Sequence, residues 1–224
     1  MDNPEVGWDD AMQFRLTYEG PLYATQRDAE AGQRTKHSSN RHTLRMAFHK
    51  QLELLWAEYP SLSPAPTSDE FTFMTFRRPS AMQHAGPPRM KVDQVAERHQ
   101  MYGFKFVPLV TAELELLCDL EILLLRPDKP GGVVWAGDLD NRLKTLLDAL
   151  HIPDPGERYH ERLGEAPEQI FCLLQDDKLI TRVSVDSDSM LMPVSDPPSA
   201  SDVRLVITVK LKPYRLNPHN VGFG

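Results

Sequence analysis

Two acidic pairs are the groups in this chain whose spacing could do chemistry. Asp138 and Asp140 lie in "GDLDNRLKTLLDAL" (137–150), and Asp176 and Asp177 in "LLQDDKLITRV" (173–183). On an extended approach to a helix, Asp138 and Asp140 project their carboxylates to the same side. Asp176 and Asp177 stand at the start of a strand that could lie beside that helix start. Three or four converging carboxylates repel one another unless a divalent cation neutralises them. Mg²⁺ takes hard oxygen ligands and keeps several waters, so it suits such a cluster. Lys144, one helical turn inward from Asp140, would reach the same pocket and stabilise negative charge on a phosphate.

The same residues have an ordinary reading. Asp138 or Asp140 caps the helix, satisfying free N–H groups and the positive dipole end. Leu139, Leu143, Leu146, Leu147 and Leu150 form its core stripe, and Asp140 with Lys144 makes an i,i+4 pair worth a few tenths of a kcal/mol. A cap accounts for one acidic cluster. It does not account for the second.

The rest of the chain divides into strand and helix patterns. "MQFRLTYEG" (12–20) alternates like a strand and ends at Gly20-Pro21. From Ser39 or Asn40 a helix is expected to Glu58, with Leu44, Phe48, Leu52 and Leu55 on its apolar face. "EFTFMTF" reads as a strand and "VDQVAERHQMYG" as a short helix. "AELELLCDLEILLL" (112–125) is the clearest strand, with Leu114 to Leu124 at alternate positions on one face and Glu113, Glu115, Asp119 and Glu121 on the other. After the acidic helix come "IFCLLQ", "KLITRVSV" and "DVRLVITVKLK", the last alternating from Val203 to Leu211. The sum is one α/β (α+β) domain over 1–224, a mixed sheet with two main helices packed on its inner face.

Composition bounds the function. A formal charge of −7 supports no general polyanion-binding field, so contact with nucleic acid must come from local basic patches or bound ions. The acidic start "MDNPEVGWDD" is not a signal peptide, and no run approaches the roughly 18 apolar residues of a membrane helix. Cys118 and Cys172 each sit in an apolar strand-like segment, which reads as two buried thiols in a reducing cytoplasm.

"GDLDN" with Lys144 four positions after Asp140, a helix ending in "DAL", then "DD" before a strand, resembles the RusA-type Holliday junction resolvases. The order of elements fits as well: early strand, helix, long strand, acidic helix, Asp-Asp, closing strands. The match covers about 111–151 and 171–212, with 12–20 and 39–58 completing the core and 59–110 and 152–170 standing as long insertions. The resemblance implies a homodimeric, Mg²⁺-dependent endonuclease (Mn²⁺ a possible substitute) that cuts branched DNA. Carried over by position, it makes Asp138, Asp140 and Asp177 metal-binding catalytic residues and Lys144 the catalytic lysine. Asp176 joins the metal set, and Asn141 the nucleic-acid contacts. The chain departs from that pattern in its net negative charge and in Asp186 and Asp188 at a strand end expected to be basic. A rival reading keeps the RusA-like core as a non-catalytic scaffold that binds a partner through its insertions.

One basic stretch remains. Between Arg27 and Lys50 six Lys/Arg residues stand against Asp28 and Glu30. Arg41, Arg45 and His49 recur at i, i+4, i+8, with Lys36 upstream, as a phosphate-tracking surface or an ordinary solvated helix face would have them. His151, His160 and His219 have no second histidine or cysteine at zinc-ligand spacing, and no phosphate-binding glycine loop or Gly-x-Ser-x-Gly elbow is present.

Overall fold

The computed structural model describes residues 12–24, 31–58, 62, 92–127, 138–155, 167–197, 199–216, 220 and 223; for 31–38 and Asp138 it describes the backbone only. The elements run β1 (Gln13–Pro21), α1 (Ala31–Glu58), α2 (Val92–Arg98), β2 (Gln100–Met101), β3 (Phe104–Val110), β4 (Leu116–Arg126), α3 (Asp138–Leu150), β5 (Gln169–Leu174), β6 (Ile180–Ser189) and β7 (Asp202–Pro213). A 3₁₀ turn, Asp177–Leu179, precedes β6. This is an α+β fold.

Period-two patterning builds the larger sheet, of order β1-β7-β4-β6. In β7 the odd positions 203 to 213 are buried and the even positions 204 to 212 half-exposed. Cys118, Leu120, Ile122 and Leu124 of β4 turn to the same inner side, in register with Leu211, Val209, Ile207 and Leu205. β1 runs antiparallel to β7, whereas β6 runs parallel to β4. Leu44, Phe48, Leu52 and Trp56 of α1, and Leu146, Ala149 and Leu150 of α3, share one core cluster with that inner face.

A single sheet was the expectation; two form among the described residues, the second ordered β2-β3-β5. Two turns shape the second sheet, and the later one divides it from the first. Tyr102 and Gly103, both with positive φ (55° and 82°), make the tight hairpin that joins β2 to β3. At the other end of β3 the chain turns a corner at Thr111–Glu115, where Glu115 takes φ 51° and Leu116 donates to Thr111 O (3.3 Å). β3 therefore leaves β4 and pairs in parallel with β5. Phe106, Val107, Leu109 and Val110 are fully buried, so the end of the segment expected to be insertion is part of the core.

The corner also trims the clearest strand. It was expected to start at 112 and starts at Leu116, and Leu114 is buried from the turn instead. α1 is longer than expected, beginning at Ala31. The expected strand at 70–76 lies outside the described residues. No helix among the described residues is long and apolar enough to cross a membrane.

Candidate nucleic-acid and metal site

α3 carries the first acidic cluster, and its two ends are used differently. Its inner face is locked: Thr145 Oγ1 donates to Tyr23 O (2.9 Å) and to Asn141 O (3.1 Å), while Arg142 donates to Ala200 O (3.1 Å). Asp140 and Lys144, one turn apart, are exposed on its outer face, and no hydrogen bond or ion pair among the described residues engages either. The i,i+4 pair of the ordinary reading is thus not formed. The helix starts at Asp138, so Asp140 lies inside its first turn, where a carboxylate favours the dipole without being the cap. Asn141 is half-buried beside it.

The second cluster builds its own turn. The Asp176 carboxylate accepts the N–H of Lys178 (2.9 Å) and caps the 3₁₀ turn, with Lys178 Nζ at 3.4 Å. That backbone N–H, ahead of the side-chain contacts, holds Asp176 below the usual carboxylate range. Asp177 is exposed in the first position of the turn.

The two clusters lie toward different ends of the larger sheet. Arg142 and Thr145 hold the start of α3 to Ala200 and Tyr23, where β1 ends and β7 begins. The Asp-Asp turn follows Gln175, whose N–H donates to Val110 O (2.9 Å), and leads into Ile180 beside Cys118 near the start of β4. Among the described residues no three His, Cys, Asp or Glu side chains are gathered to hold a metal ion. Asp140, Asp176 and Asp177 are all among them; the Asp138 side chain is not. The described residues of one chain do not make up the Mg²⁺ site that the two clusters suggest.

The basic line on α1 is neither a phosphate track nor a solvated face. Arg45 is 1% exposed, and its guanidinium donates to Asp148 O (2.8 Å) and His151 O (3.4 Å) at the C-terminal end of α3. Those carbonyls are ones a helix leaves unsatisfied and negative, so a buried cation caps them. Arg41 meets Asp148 Oδ2 at 3.4 Å, and buried His49 accepts the N–H of Phe171 on Nδ1 (3.1 Å). The line faces inward because α1 packs on α3 and β5 along it. Trp56, at helical spacing from Arg45, His49 and Leu52, is the sequence signal of that wider buried stripe. The Lys36 side chain lies outside the description.

The two histidines buried among the described residues titrate in opposite directions. Burial lowers the His49 pKa. Burial acts on His151 in the same sense, but its hydrogen bonds with Asp148 and the Ile152 carbonyl outweigh it and raise the pKa.

The acidic face of β4 is neutralised by its neighbours. Asp119 pairs with Lys212 and accepts from Thr181 Oγ1 (2.6 Å); Glu121 meets Lys210 (2.9 Å) and Arg182 (3.7 Å). Both cysteines are buried and free, and burial pushes each thiol up to about 12. Comparison of the chain with protein-family models, curated proteins and solved structures finds no match in any of the three.

Proposed function

We propose that this chain is a homodimeric, Mg²⁺-dependent endonuclease that cuts phosphodiester bonds in branched DNA in the manner of the RusA-type resolvases, in the cytoplasm. The observation that carries the proposal is the outer face of α3. Asp140 and Lys144 are exposed and engaged by nothing among the described residues, on a helix whose inner face is fixed. A carboxylate and an ammonium that hold no bond among the described residues, inside "GDLDNRLK", are where phosphodiester chemistry would need them. Lys144 would neutralise charge developing on the phosphate, and exposed Asp140 and Asp177 are open to a ligand. The described carboxylates of one chain do not by themselves assemble into a metal site.

That shortfall favours the second reading, a RusA-like scaffold binding a protein or nucleic acid without cutting it. The deciding experiment is a cleavage panel of four-way junctions, flaps, forks and linear duplexes with Mg²⁺ or Mn²⁺, comparing wild type with Asp140→Asn and Lys144→Ala. Cleavage by wild type alone supports the nuclease. Equal cleavage by the variants, or no cleavage by wild type on any branched substrate, leaves the scaffold.

A further inference from the structure

β6 is the edge of the larger sheet, and its sequence is complementary to itself. The N–H of Met190 donates to Arg126 O (2.7 Å), toward β4. Backbone groups alternate sides along a strand. The even-numbered residues from 182 on thus bond β4, and the N–H and C=O of Val183, Val185 and Ser187 face away from it. Among the described residues no backbone hydrogen bond takes up those groups. Thr181, Arg182, Val183, Asp186 and Asp188 are exposed, and Val183, at 43% exposure, is a large apolar side chain on an open edge.

Natural edges are commonly blunted by charge, bulges or a covering element. The charges here are of opposite sign and symmetric about Ser184. If a second β6 pairs antiparallel with Ser184 opposite Ser184, Arg182 of each copy lies opposite Asp186 of the other. The same register sets Val183 opposite Val185 of the second copy, twice, on the inner face. Val183 and Val185 are the residues whose backbone groups point outward, so these would be the hydrogen-bonded pairs of the ladder. A register two residues along would set Arg182 against Asp188 but Val183 against Ser187, leaving a single Val185–Val185 pair in place of the two Val183–Val185 pairs. The side chain of Asp188 already accepts the N–H of Ser189 (2.7 Å) and closes that end of the strand.

We infer that the β6 edge is the dimer interface, joining two copies of this chain into one continuous eight-stranded sheet through antiparallel β6 pairs centred on Ser184. The inference rests on the homodimer of the proposed function and gives it an interface. The occupant is a second copy because both the charge pattern and the valine pattern are satisfied by this strand's own sequence reversed. The exposed Leu191 and Met192 follow β6 directly, and this register carries them toward the second copy's 177–179 turn.

The test is the oligomeric state of the full chain by light scattering and sedimentation over a range of concentrations. Wild type should be a dimer. Arg182→Asp and Asp186→Arg should each be monomeric, because each sets like charges opposite each other twice. Mixing the two single variants should restore a dimer, as should the double variant, because each again pairs Asp with Arg. Recovery on mixing also shows that neither variant had merely misfolded. Val183→Pro should give a folded monomer, since its N–H is not used within the chain. A monomeric wild type, single variants that both remain dimeric, or a mixture that fails to recover would overturn the inference. A dimer that cuts nothing would instead overturn the nuclease reading, so the two failures are distinguishable.

Discussion

The two ends of α3 hold the same kinds of residue in opposite situations. At its start Asp140 and Lys144 stand in solvent and bond to nothing among the described residues. At its end Asp148, His151, Arg41 and Arg45 form a half-buried to buried network, in which Arg45 caps the helix carbonyls and Asp148 meets both Arg41 and His151. Charge at the first end contributes little to the fold and is free for a ligand. Charge at the second end is fixed by desolvation, since removing one member leaves its partners buried and unpaired. The residue types alone do not tell the two ends apart; burial does.

The largest effect that would sharpen this contrast is on chemistry at the first end. Asp140→Asn keeps shape and removes one charge, and Lys144→Ala removes the ammonium. Each is expected to reduce junction cleavage by about a hundredfold or more, a size typical of losing one group that stabilises a transition state. The melting temperature should hold to within about a degree, because exposed substitutions of this kind change stability little. A large drop in melting temperature in either variant would erase the contrast.

The largest effect on stability lies at the second end. Arg45→Met keeps much of the volume but strips the donors from Asp148 O and His151 O. A loss of about 2–4 kcal/mol is expected from the unsatisfied buried carbonyls. Urea denaturation would measure it, and a loss below about 1 kcal/mol would place Arg45 with the solvated charges.

Smaller and opposite pH effects should separate the two buried histidines. The His49 pKa is lowered in the fold, so its contribution is present above the unfolded value near 6.5 and is lost as pH falls through the lower folded value. The His151 pKa is raised, so its contribution is full below about 6.5 and is lost as pH rises through the higher folded value. Relative to wild type, His49→Gln should therefore be most destabilising at the alkaline end of a series from pH 5 to 8, and His151→Gln at the acidic end. Parallel curves for the two variants would show that neither histidine titrates as its surroundings dictate. The smallest effect expected is Arg41→Ala, about 0.5–1 kcal/mol, because the Arg41–Asp148 pair is only partly shielded from water.

Elements whose period is local follow from the chain's own patterning. β7 and the inner face of β4 were legible because alternation sets which side chains can leave water together. The extent of α3, from Asp138 to Leu150 before Pro153, follows from its leucine stripe and the proline beyond it. The burial of both cysteines was legible in the same way, from their apolar neighbours.

Tertiary structure decided what depends on partners distant in sequence. Glu115 adopting positive φ turns the chain, sends β3 to β5 and makes two sheets where alternation alone suggested one. Arg45 looked like a surface cation because its i, i+4 neighbours are Arg41 and His49. It is buried because the carbonyl end of a helix more than a hundred residues away needs a donor. The placing of the acidic clusters is of the same kind. Spacing along the chain says how far apart two carboxylates can be, but the bond from Arg142 to Ala200 and the pairing of Ile180 with Cys118 hold them toward different ends of the larger sheet. Local patterning is enforced by each residue's own contact with water, whereas these positions are set by backbone groups that only the assembled fold brings within reach.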